Sequence, residues 1–370
     1  MHTIKSAGAV LFFTVVSLLT PVASAATPSD TIDAELTRLF PADLPGAAVL
    51  VVKDGATLLS KGYGLANVEL NVPVKPDQLF YAASVGKQFT AAAILKLAED
   101  GKVSLQTPIR RFFPNLPPAW NGITVEQLLN HTSGIANIFT DAEFRRRAFE
   151  EHTPEQLLAQ AIAMPLLAPP GTGYAYSSAN YTLLAMIIEQ LSGEKYDAWL
   201  ARQFFVPLGM THTHFIRETK LIKDLATPYE AGPRLAVRWN STLLFGGGSF
   251  ASNNADLLRW TLALQGGAVL KPASLAAMNT ALTLPGGKRV PYGLGLRPHT
   301  LAGQPYLQSN GDIHGFHAEV VFLPQSKVFV SILINGDDTL KGSLAQLAQR
   351  ITVIAADIPR PGDADPVLDK

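Results

Sequence analysis

Apolar residues recur at helical spacing after Thr31, where Ile32, Leu36 and Leu39 share one face, so a helix capped by Thr31 is predicted to run to about Phe40. Two apolar arms follow, Ala47 to Lys53 and Ala56 to Gly62. Between them Asp54-Gly55 supplies the positive φ of a tight turn, which predicts a β-hairpin. From about Ser84 to Leu264 the period is mostly helical, broken by Pro and Gly. The clearest segments are Val85 to Ala98, Val125 to Leu129, Pro154 to Ala163, Tyr181 to Leu191 and Asp256 to Leu264. Strand patterns return at Tyr292 to Arg297, His317 to Leu323 and Lys327 to Ile334, with Pro324-Gln325-Ser326 as the last turn. An amphipathic helix is predicted from about Leu340 to Ile354.

Strands at both ends with helices between them imply one sheet assembled from the chain termini. Hairpin-linked neighbours make that sheet antiparallel, since parallel pairs would each need a crossover. The expected fold is an α/β sandwich with helices on both faces and a mainly helical region, about 84–264, inserted between the N- and C-terminal strands. One domain spans 26–355 and a tail covers 356–370. No internal repeat interrupts this plan.

Composition narrows the chemistry. Lys5, an apolar run from Ala7 to Leu19, Pro21 and Ala23-Ser24-Ala25 have the form of a secretory signal cut after Ala25, so a secreted or periplasmic location is expected. That run is shorter than the roughly 20 residues of a spanning helix, and no integral membrane segment is expected after its removal. There is no cysteine, which excludes disulfides and thiolate metal sites. Lys+Arg and Asp+Glu both count 30, so no global field draws nucleic acid or an anionic membrane, and a small, near-neutral partner is expected. Arg145-Arg146-Arg147, followed by Glu150 and Glu151, is a solvated helix face.

Two Ser-x-x-Lys strings occur. Ser192-Gly193-Glu194-Lys195 falls where Gly193 ends a helix, so its Ser and Lys need not share a face. Ser84-Val85-Gly86-Lys87 instead opens a helical stretch, where positions three apart lie roughly 5–6 Å apart at Cβ. Unpaired N–H groups at such a helix start favour the charge that develops on an attacked carbonyl oxygen. Lys87 can act as a base only if burial or neighbouring cations lower its pKa.

The surroundings of this string carry a wider likeness. Phe80-Tyr81-Ala82-Ala83-Ser84-Val85-Gly86-Lys87, Leu128-Leu129-Asn130-His131-Thr132-Ser133-Gly134, Pro170-Gly171-Thr172, Tyr176-Ser177-Ser178, Pro207-Leu208-Gly209-Met210 and Gly315-Phe316 occur in order. From about Leu36 to Ala348 the chain resembles the penicillin-recognising serine hydrolases, namely class C β-lactamases, serine D,D-peptidases and related esterases. The resemblance implies a β-lactamase-like fold, Ser84 as nucleophile, Lys87 and Tyr176 as proton-transfer partners, and a small-molecule or peptide acyl substrate; no cofactor or metal is expected.

Two positions depart from that family's pattern. Ser178 stands for the Asn of the second motif and lacks its paired amide donor and acceptor; Asn180 is the nearest residue with that chemistry. The third motif falls at Ser309-Asn310-Gly311, where Ser309 replaces the cation that helps hold a substrate carboxylate. This disfavours penicillins unless Arg297 compensates, and favours a neutral ester or a modified D-peptide. By the same resemblance the Asp312 N–H, beside Gly311, joins that of Ser84 in the oxyanion site, and the reaction is acyl transfer to water.

Rival patterns exist. Gly247-Gly248-Ser249-Phe250-Ala251 approximates a nucleophile elbow, with Asp256 or Asp312 and His314 or His317 following, although its last position is Ala and strand–helix alternation is missing. The glycines there also suit close backbone packing. His212-Thr213-His214 has no completing carboxylate motif and is assigned to a turn, and His131 is assigned a structural role after the Leu128-Leu129 helix. A fold kept for binding without efficient chemistry is the remaining alternative, set against the retention of Ser84, Lys87 and Tyr176.

Overall fold

Helix α1 (Pro28–Leu39) is the first element of the computed structural model, which describes residues 26–359; the predicted signal segment and most of the predicted tail lie outside them. The helix is capped four residues before the expected position. Thr27 is the N-cap: its hydroxyl accepts from the Asp30 N–H at 3.2 Å, and the Asp30 carboxylate accepts the Thr27 N–H at 3.0 Å. This reciprocal box, with Pro28 at the first helical position, outcompetes a cap at Thr31.

Strands β1 (Ala47–Lys53) and β2 (Ala56–Tyr63) form the expected hairpin, with Asp54 and Gly55 at φ of 50° and 79°. The helices that frame the centre are α2 (Lys87–Glu99), α3 (Val125–Leu129), α4 (Pro154–Ala163), α5 (Ser178–Ser192) and α6 (Asn254–Gln265). Strands β3 (Arg297–Leu301), β4 (Gln304–Ile313), β5 (Phe316–Leu323) and β6 (Val328–Ile334) follow, then helix α7 (Leu344–Ala356).

The main sheet has the order β3-β4-β5-β6-β1-β2, antiparallel throughout. The two chain ends meet where β1 pairs β6, Ala47 opposite Ile334 and Lys53 opposite Val328. Ala47, Val49 and Val51 face α1 and α7, whereas Ala48, Leu50 and Val52 face the inserted helical region. With both faces covered, β1 and β6 are apolar without alternation.

The structure corrects two boundaries near the end. Tyr292 to Leu296 is not a strand, because Gly295 takes φ 81° and a Cβ there would meet the Ala91 Cβ at 2.6 Å, so the segment folds tightly over α2. Helix α7 starts at Leu344 rather than Leu340, since Gly342 at φ 123° breaks the helical path and the Ser343 hydroxyl caps the Gln346 N–H. Strand β4 itself, mostly polar, shows no period-2 apolar pattern.

Helix α2 is the spine of the core. Every residue from Lys87 to Leu95 is buried, the polar Lys87, Gln88 and Thr90 among them. Its polar groups are met: the Trp260 Nε1–H donates to Gln88 Oε1 at 2.7 Å and the Thr90 hydroxyl donates to the Gly246 carbonyl at 2.6 Å. Phe89 packs edge-on to Phe205, Phe250 and Trp260, so the N-terminus of α2 is held rigidly at the sheet.

Candidate active site

Ser84 lies in the single 3-10 turn Ala83–Gly86 that leads into α2. The first hydrogen bond of that turn runs from the Val85 N–H to the Ala82 carbonyl, so the Ser84 N–H precedes the ladder and is left over as a donor. Ala83 pays for this placement with φ 44°, an uncommon conformation for a residue with a side chain. Glycines crowd the turn from two sides. A Cβ on Gly311 would lie 2.2 Å from the Ala82 carbonyl oxygen and 2.9 Å from the Ser84 nitrogen; one on Gly248 would lie 2.1 Å from the Ala83 oxygen.

Lys87 Nζ is 2.9 Å from Ser84 Oγ and donates to the Gly247 carbonyl at 2.8 Å. The side chain is only 2% exposed, and among the described residues no carboxylate pairs with it. Burial, then the Arg297 guanidinium, lower its pKa from 10.5 to about 7. A neutral amine of this kind directs one hydrogen to Gly247 and its lone pair to the Ser84 hydroxyl.

The Tyr176 hydroxyl donates to Ser84 Oγ at 2.9 Å, across 92 residues of sequence. Burial pushes that phenol up to about 12, against lowering by the Ser84 bond and Arg297, so it rests protonated. Of the two bases the sequence allowed, the resting geometry therefore favours the amine as acceptor and the phenol as donor.

The oxyanion side follows from strand pairing. The two-residue His314-Gly315 turn joins Ile313 to Phe316, which are opposed; the pair that closes such a hairpin is the hydrogen-bonded kind, which makes the next pair, Asp312–His317, the non-hydrogen-bonded kind. The Asp312 N–H consequently points away from β5. Strand β3 pairs with β4 only as far as Arg297 opposite Gln308, which leaves residues 309–313 as an open edge beside Ser84. A cavity of about 510 Å³ fronts this edge, lined by Ser84, Tyr176, Ser178, Arg297, Asn310 and Asp312, with the stacked pair Phe139 and Trp239 as an apolar wall.

Ser178 lies at the first position of α5, three residues before the expected start, and reaches the cavity, as its motif position requires. Asn180 does not substitute for the missing amide. It is buried, accepts from the Ser133 hydroxyl at 2.7 Å and lies 3.1 Å from His131 Nδ1. Ser309 is buried in β4 beside the cavity rather than lining it. Arg297 instead brings a cation into the cavity, 5.9 Å from the centre of the Tyr176 ring and 5.5 Å from that of Tyr292.

His131 does more than hold a turn. Its Nδ1 accepts the Ser177 N–H at 3.2 Å, so Nε2 carries the proton and donates to the Tyr292 hydroxyl at 3.1 Å. Burial, then Lys87 and Arg297, hold it well below 6.5 and neutral, and its ring lies 4.4 Å from that of Tyr176. His131→Ala is expected to cost about 2–4 kcal/mol, by stranding these polar groups and opening a void, with urea denaturation as the measurement.

The rival nucleophile is not built. Ser249 is buried and its hydroxyl donates to the Ser241 carbonyl, while Asp256 serves the His212 N–H, Thr213 and Arg259. The adjacent glycines do provide close packing, with Gly247 and Gly248 seated against the Lys87 and Ser84 segment. No group of three or more His, Asp or Glu suited to a metal occurs among the described residues. No helix among them is long and apolar enough to cross a membrane.

Comparison with known proteins agrees with this architecture. Residues 34–352 match the Beta-lactamase family. Protein flp of Staphylococcus aureus (strain MRSA252) is 34% identical over 191 residues, covering 50% of this chain and 38% of its own. A D-aminopeptidase of Gluconobacter oxydans (strain 621H) is 25% identical over 309 residues, 82% of this chain and 58% of its own, so the chain spans about half the length of these curated relatives. The octameric penicillin-binding protein homologue from Pyrococcus abyssi superposes with TM-score 0.76 at 27% identity, covering 90% of this chain and 77% of its own. The D-amino acid amidase from Ochrobactrum anthropi SV3, complexed with L-phenylalanine amide, gives 0.75 at 25% identity over 89% and 98%. With the family match running from α1 into α7 and the fold shared with these hydrolases, the protein belongs to the Beta-lactamase family of penicillin-recognising serine hydrolases.

Proposed function

We propose that the protein hydrolyses an ester, an amide or a D-amino-acid peptide through an acyl-enzyme on Ser84. The observation that carries this reading is that Ser84 Oγ has an amine of near-neutral pKa and a phenol each 2.9 Å away. Lys87 accepts the hydroxyl proton as Oγ attacks the carbonyl carbon, and the N–H groups of Ser84 and Asp312 receive the oxyanion. Tyr176 passes a proton to the leaving group, and water then releases the acyl group by the reverse transfers. The likeness to a D-aminopeptidase and a D-amino acid amidase supports a D-amino-acid amide or peptide. Arg297 supports a substrate end bearing a carboxylate, which revises the preference for neutral compounds drawn from Ser309 alone.

The test treats the purified protein with a fluorophosphonate and with a fluorescent penicillin and locates any adduct by mass spectrometry. Fluorophosphonate label on Ser84, lost in Ser84→Ala, is expected, with a labelling rate that rises as pH passes about 7 and Lys87 loses its proton. Label elsewhere, or undiminished label in Ser84→Ala, would overturn the reading. An unlabelled wild-type protein would favour a fold kept for binding. Nitrocefin turnover at rates typical of lactamases would make β-lactams the substrate class.

A further inference from the structure

His314 and His317 have no part in the steps above, yet His317 is bound on both ring nitrogens. It stands on β5 directly opposite Asp312, and its Nδ1 is 2.7 Å from Asp312 Oδ1. Its Nε2 is 3.1 Å from Asp337 Oδ1. Ionised carboxylates only accept, so both contacts are hydrogen bonds only when both nitrogens carry protons, as an imidazolium.

Asp337 is a fixed anchor. Its Oδ1 also accepts the Gly315 N–H at 2.8 Å, and its own N–H donates to the Tyr229 carbonyl at 2.9 Å. Gly315 in the turn sits against the 228–236 segment, where a Cβ would meet the Pro228 Cβ at 2.5 Å. Asp312, by contrast, lies on a strand end that β3 does not reach, in a pair without main-chain bonds across to β5. Its side-chain bond to His317 is therefore the tie at Asp312 itself, between the Gly311–Ala318 and Ile313–Phe316 pairs on either side.

We propose that His317 is a positioning residue: by clamping the Asp312 carboxylate to Asp337 it holds the Asp312 N–H where the oxyanion forms. The proposal rests on Ser84 acyl transfer and concerns which residue sets its oxyanion geometry. The titratable groups around the imidazole are Asp312 from β4, Asp337 after β6, and His314 in the turn, which lies 3.6 Å from Asp337 Oδ2 and 3.9 Å from Glu230. Burial works against the charge on His317, but bonds to the two carboxylates raise its pKa from 6.5 to about 9. The clamp exists only in the folded protein: the stability it contributes is full below about pH 6.5, where the unfolded imidazole is protonated too, and is lost as pH rises through about 9.

Fluorophosphonate labelling of Ser84 and p-nitrophenyl ester turnover, each measured from pH 6 to 11, test this. Wild-type kcat is expected to fall above about pH 9. At pH 7.5 His317→Gln, which has one donor group and no titration, is expected to lower kcat roughly 10- to 100-fold with KM little changed, and to lose the alkaline limb. Asp312→Asn keeps the N–H but removes a carboxylate from His317, so its limb moves to lower pH; it carries the test if His317→Gln does not fold. A His317→Gln protein with wild-type kcat and pH profile, or an Asp312→Asn limb that stays in place, overturns the proposal. Absence of label on wild-type Ser84 would instead remove the acyl-transfer reading, a distinct outcome.

Discussion

Lys87→Met is expected to lower turnover of an activated ester roughly 10³- to 10⁴-fold, the range for loss of a positioned general base, while making the protein more resistant to urea at pH 6. The two effects share one cause. The folded chain holds this amine near pKa 7 and the unfolded chain near 10.5, so between those values the unfolded state binds more protons. Stability attached to the group therefore rises with pH over that window, and its full cost is present below about pH 7. At about 1.4 kcal/mol per pKa unit the cost is a few kcal/mol, partly offset by the bonds to Ser84 and Gly247. The gain for Lys87→Met should shrink as pH rises towards 10.5, and paired urea titrations at the two pH values measure it. Lys87→Arg should be as inactive as Lys87→Met, because guanidinium keeps its charge and cannot take the Ser84 proton. A methionine variant that retains turnover within tenfold would contradict a basic role for the amine.

Gly311→Ala should produce the second large loss. The new methyl group would sit 2.2 Å from the Ala82 carbonyl oxygen and 2.9 Å from the Ser84 nitrogen, both backbone atoms that no rotamer change can move. Either β4 shifts outward or the turn bearing Ser84 rotates, and each separates the two N–H groups of the oxyanion site. A fall in kcat of roughly 10²-fold or more is expected, as for a donor displaced by about 1 Å, with destabilisation of about 1–3 kcal/mol from overpacking. Turnover of a p-nitrophenyl ester and the urea midpoint give the two readouts; wild-type values for both would show that the strand and turn are not in tight register.

Much of the framework was legible because its signals are local. The Asp54-Gly55 hairpin, the continuous apolar runs of β1 and β6, and the helices at Val125–Leu129 and Pro154–Ala163 coincide with their expected positions. The misses have local causes too. Tyr292 to Leu296 alternates apolar residues with glycine, as a strand can, but those glycines serve close packing, Gly293 on the Met278 and Thr280 backbone and Gly295 on α2. Strand β4 was obscured because Gln308, Asn310 and Asp312 front the cavity and so carry no apolar pattern. His317 was noticed as a strand start and as a member of a rival triad, since nothing in its spacing reveals the carboxylates of Asp312 on β4 and Asp337 after β6.

The amino-acid sequence by itself determined that Ser84 and Lys87 would meet, because two side chains three residues apart on one turn are neighbours wherever that turn is placed. Only the tertiary structure decided what the pair can do. Lys87 approaches neutrality because a whole core excludes water from it, Tyr176 arrives from 92 residues away, and Arg297 rather than position 309 presents the cation. Covalent spacing sets distances within a turn, whereas burial and long-range charge are properties of the packed chain.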